Sequence, residues 1–447
     1  MTQAGWRRRA GWYAFDWASQ PYATLIITFV FAPYVQELIG DGSRAQALWG
    51  YGVAAAGLVI ALLAPILGSV ADRGGPRVRI GFLWAFSLAY VVGASGLWFA
   101  APGDFDVART LMFFGLGLIG MEMATIFVNA MLPEVAPRGE IGRVSGTGWA
   151  IGYAGGLVAL VAMLALFAES GETGRTLIGI APVLGLDPET REGTRAVGPL
   201  AALWFAAFMV PFFAWVRPGT ARGMPVARAL RYAWPDLRDA LRALPARPSL
   251  AAYLAASMFY RDALNGIYYF GGIYAAGVLG WSVVEVGVFG ILAVVTGALA
   301  AWAGGRADMR LGPRPVIAAA LAALIAVTAL TATVSRETVL FVPLPDGSQA
   351  PDVAFYLIGM VIGAAGGVLQ AASRTMMVVQ ADPDRMTQGF GLYALAGKAT
   401  AFVAPFAVAL TTDLTGSQQL GILPVLALFA IGLALLGWVK PHGDMPR

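Results

Sequence analysis

Apolar runs of about 20 residues, the length that crosses a bilayer as a helix, recur along the whole chain. Short stretches rich in Arg, Asp, Gly and Pro separate them. Twelve runs are centred in residues 12–39, 46–70, 79–101, 107–132, 143–167, 197–216, 250–279, 282–304, 315–334, 353–379, 389–412 and 420–439. Short alternating segments, the mark of a membrane β-barrel, are absent from this pattern, which therefore predicts helices. One run is unusual. "MFYRDALNGIYYFGGIYAAG", residues 258–277, carries Arg261 and Asp262 side by side near its middle. Each charge costs roughly 2.5 to 3.5 kcal/mol at the centre of a membrane helix, so each requires a partner or a task.

The longest polar stretch, residues 217–249, lies between the sixth and seventh runs. It divides the chain into an N-terminal six-helix bundle (1–216), a basic cytoplasmic central loop (217–249) and a C-terminal six-helix bundle (250–447). The middle of the loop, from about Val226 to Leu244, has amphipathic helical spacing with basic residues, as in a helix that lies on a membrane face and attracts anionic lipid. The two halves repeat weakly. "GSVADRGGPRVR" follows the second run and "GGRADMRLGPR" the eighth, which sets Asp72 against Asp308, and Gly75 with Arg77 against Gly312 with Arg314. "SGTGW" at 145–149 likewise parallels "QGFGL" at 388–392. The predicted fold class is an all-α integral membrane protein of twelve transmembrane helices in two pseudo-symmetric halves, the construction of rocking transporters.

Composition agrees and narrows the chemistry. The chain is 58% hydrophobic and 13% charged, with mean hydropathy +0.70, which leaves little water-facing surface. Its 56 Gly and 26 Pro suit closely packed, kinked membrane helices. With no cysteine, and one histidine, His442, in the polar tail, thiol chemistry, histidine relays and the usual metal clusters are excluded. No metal or cofactor is expected, and any proton carrier is a carboxylate. No Walker loop is visible, so a gradient and not ATP is the expected drive. A membrane-embedded enzyme would need a catalytic cluster, and the intramembrane acids lie on separate helices.

The formal charge of +4 comes almost wholly from arginine in short loops, which reads as topology rather than nucleic-acid binding. With both termini in the cytoplasm, 21 of the 30 Lys and Arg residues fall on that side. The amino terminus, with Arg7, Arg8 and Arg9 ahead of an apolar run that Asp16 interrupts, reads as an uncleaved first helix.

Inside the runs the ionisable residues are Asp16, Glu122 and Asp262 against Arg261, Arg374 and Lys398. Equal numbers predict mutual pairing across a polar interior or engagement with a ligand. At about 1.5 Å per residue, Glu122, Arg261, Asp262 and Lys398 come near the midplane, where a substrate can be met. Asp16 and Arg374 fall closer to the inner surface, where a gate belongs. Arg261 shares a face with Asn265, and Gln370 with Arg374, whereas Arg261 and Asp262 point about 100° apart and so need separate partners. Tyr153 and Tyr393, early in the fifth and eleventh runs, are candidates to line a cavity. The repeated loops add Asp72, Arg73, Arg77, Asp308 and Arg314 as gating candidates that hold one conformation closed.

Twelve helices in two halves, a long basic central loop and the segment "GSVADRGGPR" together resemble the major facilitator superfamily, with Gly68, Asp72, Arg73, Gly75 and Arg77 on its loop pattern. Val78 stands where that pattern has a basic residue, with Arg79 one position late; the second copy has an extra residue, and Met309 in place of the arginine. Within the superfamily, "YAFDWASQPYATLIITFVFAPY", "YRDALNGIYYFGGIYAAGVLGW", "GGVLQAASR" and "GFGLYALAGKATAF" resemble the autophagy-related vacuolar amino-acid effluxers and their bacterial relatives, over nearly the whole chain. The resemblance implies that the first, fourth, seventh and tenth helices line the central cavity; Asp16, Glu122, Arg261, Asp262, Gln370 and Arg374 all fall on these. A transporter working by alternating access is the expectation, and bacterial-style loops with a short polar amino terminus point to an inner (plasma) membrane; a monomer without enzymatic activity is expected.

The expected solute is an amino acid or similar zwitterion moved with protons. Glu122, Arg261, Asp262, Asn265, Gln370, Lys398, Tyr153 and Tyr393 would bind it; Glu122, Asp262 or Asp16 would carry the proton; and Asp16 and Arg374 would join the loop residues in gating. An exporter of amphiphilic drug-like or lipid-like compounds remains an alternative. So does a non-transporting sensor or scaffold working through the 217–249 loop.

Overall fold

The computed structural model describes residues 3–171, 173–221, 223–281, 283–345 and 347–444. Arg222 and Arg447, counted above for topology, lie outside them. Every apolar run is helical. In the first crossing, α1 (Gln3–Pro21) continues through a π-helical stretch, Tyr22–Phe29, into α2 (Phe31–Ile39). Next come α3 (Gly42–Gly74), α4 (Pro76–Gly96) and α5 (Val107–Ala130). The short α6 (Leu132–Val135) precedes α7 (Ile141–Leu166), and α8 (Glu192–Arg195) precedes α9 (Val197–Trp215). The central loop contains α10 (Val226–Ala243).

The chain then forms α11 (Pro248–Leu279), α12 (Val283–Leu311) and α13 (Pro313–Thr331). A two-residue hairpin, β1 (Thr338–Val339) with β2 (Val342–Pro343), leads to α14 (Ala350–Gln380). The eleventh crossing is divided into α15 (Met386–Ala399) and α16 (Val403–Thr415), and α17 (Gln418–Gly421) opens the last, α18 (Leu423–Leu436). Among the described residues eleven spans are long and apolar enough to cross a membrane, and the 32-residue α11 supplies the twelfth crossing.

Prolines account for the two interrupted crossings. A proline cannot donate to the carbonyl four residues back, and its ring presses against it. For Pro33 and Pro405 those carbonyls belong to Phe29 and Ala401, where the first crossing ends its π-helical stretch and the eleventh loses helical geometry.

The sequence repeat has a backbone counterpart. Gly75 and Gly312 have φ of 78° and 81°, a region L residues rarely enter, and each hands over to a proline that opens the next helix. With these glycines superposed the extra residue matters. The Gly75 amide donates to the carbonyl of Ala71, whereas the Gly312 amide donates to that of Asp308. Asp308 therefore occupies the register of Ala71, about 100° around the helix from that of Asp72, and the two acids cannot do the same job.

By their packing the residues form two compact units, Met1–Met131 with Ile151–Ala233, and Leu132–Ala150 with Trp234–Arg447. The division falls inside α7 and inside α10 rather than at the loop borders, because the first turns of α7 pack on α12 and α14. In the first unit Phe15, Tyr22, Tyr90, Phe205 and Phe212 form a buried aromatic core between the first crossing, α4 and α9. In the second, Tyr253 and Tyr260 of α11 are fully buried, and both reach Ser373 of α14.

Candidate functional site

Arg261 is partly buried on α11 and reaches α15. Its Nη1 donates to the Tyr393 carbonyl at 2.9 Å, and its guanidinium lies over the Tyr393 ring, 4.2 Å from the centroid. The ring is stacked on its neighbour Tyr253 at 5.9 Å, with 3° between planes. Space for the guanidinium comes from Gly397, one turn after Tyr393: any side chain there would collide with Nη1 and Cζ of Arg261. Sequence reasoning selected Arg261 and Tyr393 but missed Gly397, although its four-residue spacing from Tyr393 was a usable signal. Asn265 and Tyr268 continue the Arg261 face at positions +4 and +7 and are exposed. A cation braced on an aromatic ring beside an amide and a phenol is suited to hold a carboxylate.

Asp262 turns the other way, as helix geometry requires. It is 1% exposed, and its Oδ2 accepts from the backbone amide of Ala404 at 2.9 Å. Ala404 is the second residue of α16, whose own N-cap, Phe402, offers no side-chain acceptor, and the next residue, Pro405, has no amide proton. Asp262 thus supplies from another helix the cap that the α16 sequence lacks. The adjacent charges of α11 take opposite sides of one interrupted crossing: Arg261 holds α15 and Asp262 holds α16.

A second cluster forms where α7 begins. Arg374, 5% exposed on α14, donates from Nε to the Ser145 hydroxyl at 3.0 Å and from Nη2 to the Ser145 carbonyl at 2.7 Å. The Ser145 hydroxyl donates to the Ala371 carbonyl at 2.7 Å, and Trp149 lies 5.7 Å from the Arg374 guanidinium carbon. Asp308, 5% exposed on α12, rests against Gly142, where an added Cβ would come 2.7 Å from the carboxyl carbon. One turn on, Gly146 packs directly on the Ala301 carbonyl and Gly305 of α12. Two of the expected gating residues therefore converge on the first turns of α7. Replacing Gly146 by Leu is expected to destabilise this packing by roughly 1 to 3 kcal/mol, seen as a lower unfolding midpoint in a tryptophan-fluorescence melt.

The remaining candidates are more dispersed. Glu122 on α5, Asp16 on α1 and Tyr153 on α7 are partly buried in the first unit, with the backbone of Asp16 against Gly152. Gln370 and Lys398 are partly buried in the second unit, on α14 and α15. Arg73 lies over the Tyr232 ring at 4.8 Å, and its carbonyl accepts from Met224, which ties the end of α3 to the central loop; Asp72 beside it is partly buried. The two arginines of the repeat behave differently. Arg77 is exposed, whereas Arg314 donates to the carbonyls of Leu436 and Gly437 at 3.2 and 2.8 Å and caps the C-terminus of α18. That contact gives Arg314 a helix-capping task.

Known proteins agree with this architecture. The family described as Vacuole effluxer Atg22 like matches residues 138–445. An uncharacterized MFS-type transporter, YxiO of Bacillus subtilis, is 22% identical over 443 residues, 97% of this chain and 95% of its own. Autophagy-related protein 22 of Cryptococcus neoformans is 27% identical over 305 residues, 66% of this chain and half of the fungal protein. Among solved structures, the human organic anion transporter MFSD10 superposes with TM-score 0.70 at 15% identity, covering 98% of this chain and all of that one. The major facilitator proton:xylose symporter XylE superposes with TM-score 0.66 at 12% identity, covering 97% of this chain and 94% of the other. The fold is that of the major facilitator superfamily, and the protein is a multi-pass membrane transporter rather than an enzyme. Within that superfamily the chain belongs to the vacuole effluxer Atg22-like family.

Proposed function

We propose that this transporter moves an amino acid or a similar small zwitterion by alternating access, coupled to protons, across a bacterial-type plasma membrane with both termini in the cytoplasm. The observation that carries the reading is Arg261: a cation retained in the middle of a membrane helix, oriented by Tyr393 and Gly397, with Asn265 exposed on the same face. In this reading Arg261 binds the carboxylate, and Asn265, Tyr393, Gln370 and Lys398 complete the polar contacts of that unit. Glu122 and Tyr153 are further candidates, with Glu122 as the acid proposed to meet the amine or take up the proton. Asp262 is left to hold α16, and Arg374 and Asp308 hold the first turns of α7 in one of the alternating states.

The test is uptake of a panel of labelled amino acids into proteoliposomes, with and without an imposed pH gradient. Gradient-stimulated movement of one class of amino acid is expected. Movement of amphiphiles alone would replace this reading with that of an exporter.

A further inference from the structure

We propose that α10 is a binding surface for anionic lipid. Around this helix, at about 100° per residue, three stripes follow one another. Ala229, Ala233 and Leu237 are buried, and Ala229 and Ala233 pack with Val70, Ile66, Val78 and Phe82 at the ends of α3 and α4. Next come Leu230, Trp234 and Leu241, which fall within about 40° of one another and are 49%, 67% and 44% exposed. Beyond them stand Arg231, Arg238 and Arg242, all exposed and again within about 40°. Among the described residues the one acid paired with these arginines is Asp239, 3.8 Å from Arg238, both side chains being more than half exposed.

The order of the stripes determines the occupant. A helix at the rim of a membrane bundle needs one side for protein, the next for the acyl boundary and the next for headgroups, and α10 presents these in sequence. Its level also fits, because it packs where α3 ends and α4 begins, and its chain follows from α9, which closes on Trp215 beside Trp6. Neutral lipid would satisfy Leu230, Trp234 and Leu241 but would offer the three neighbouring guanidinium groups no anion beyond the Asp239 that Arg238 already has. Anionic headgroups satisfy both stripes, at about 1 kcal/mol per arginine, or roughly fivefold each. A soluble acidic partner would pair with the arginines and leave Trp234 in water.

The chain has no cysteine, so Leu241→Cys creates a single labelling site on the apolar stripe, with Leu230→Cys as a second. The full-length protein, carrying a polarity-sensitive fluorophore there, is placed in nanodiscs containing equal fractions of phosphatidylglycerol and phosphatidylcholine, with brominated chains on one or the other. Quenching several-fold stronger from the brominated phosphatidylglycerol is expected. That preference should weaken at high salt and fall to about one in Arg231→Gln/Arg238→Gln/Arg242→Gln. Equal quenching by the two lipids would place the helix in the bilayer but overturn anionic-lipid binding. Absence of quenching from both would overturn the lipid surface itself and leave the face to a protein partner. Transport is not the readout, so the result is independent of the solute.

Discussion

Arg261→Ala is expected to weaken solute binding by roughly 30-fold to a few thousand-fold, because truncating a hydrogen-bonded charge that meets its counter-charge costs about 2 to 5 kcal/mol. Binding to purified protein, measured by calorimetry with the solute identified by uptake, is the direct check. Arg261→Lys should recover only part of the loss, since an ammonium keeps the charge but cannot lie flat over Tyr393 while donating to its carbonyl. Gly397→Leu provides an independent route to the same site: it displaces the guanidinium while leaving the charge on α11, and should also weaken binding. Unchanged affinity in Arg261→Ala would mean that the arginine only braces α15. The melting midpoint separates these cases, because loss of the 2.9 Å bond to the Tyr393 carbonyl should by itself cost only about 1 kcal/mol.

Much of this arrangement is legible in the sequence. Apolar runs of bilayer length determined the twelve crossings, and adjacent charges on one helix had to diverge, as Arg261 and Asp262 do. The Gly-Pro turn of the repeat also held, in φ as well as in letters. Position across helices was harder to read. Ser145 carries no charge and lies in a motif noted for its glycines, yet it takes two hydrogen bonds from Arg374. Arg314 looks like Arg77 in sequence but meets the carbonyl end of α18, which no local pattern announces. Asp308 looks like Asp72, but a single inserted residue rotates it towards α7. Such contacts depend on which helix passes by, and a one-dimensional pattern fixes faces without fixing neighbours.

Asp262 decides between structural and chemical readings of the paired charge. As a cap, its removal leaves the Ala404 amide buried and unmatched, so Asp262→Ala should lose about 2 to 3 kcal/mol of stability and with it most transport. Asp262→Asn keeps an acceptor oxygen for that amide. It should remain within about 1 kcal/mol of the parent and retain uptake that a pH gradient stimulates, whereas Glu122→Gln should lose that stimulation. The opposite pattern is equally readable: a stable Asp262→Asn protein that exchanges solute across the membrane but ignores the gradient would make Asp262 the proton carrier. In that event the bond to Ala404 would itself be the coupling device, because protonation of the carboxylate would weaken its hold on the N-terminus of α16 and loosen the crossing at the Pro405 break. The stability of the Asn variant therefore has to be measured alongside its transport, since only the two together distinguish a cap from a switch.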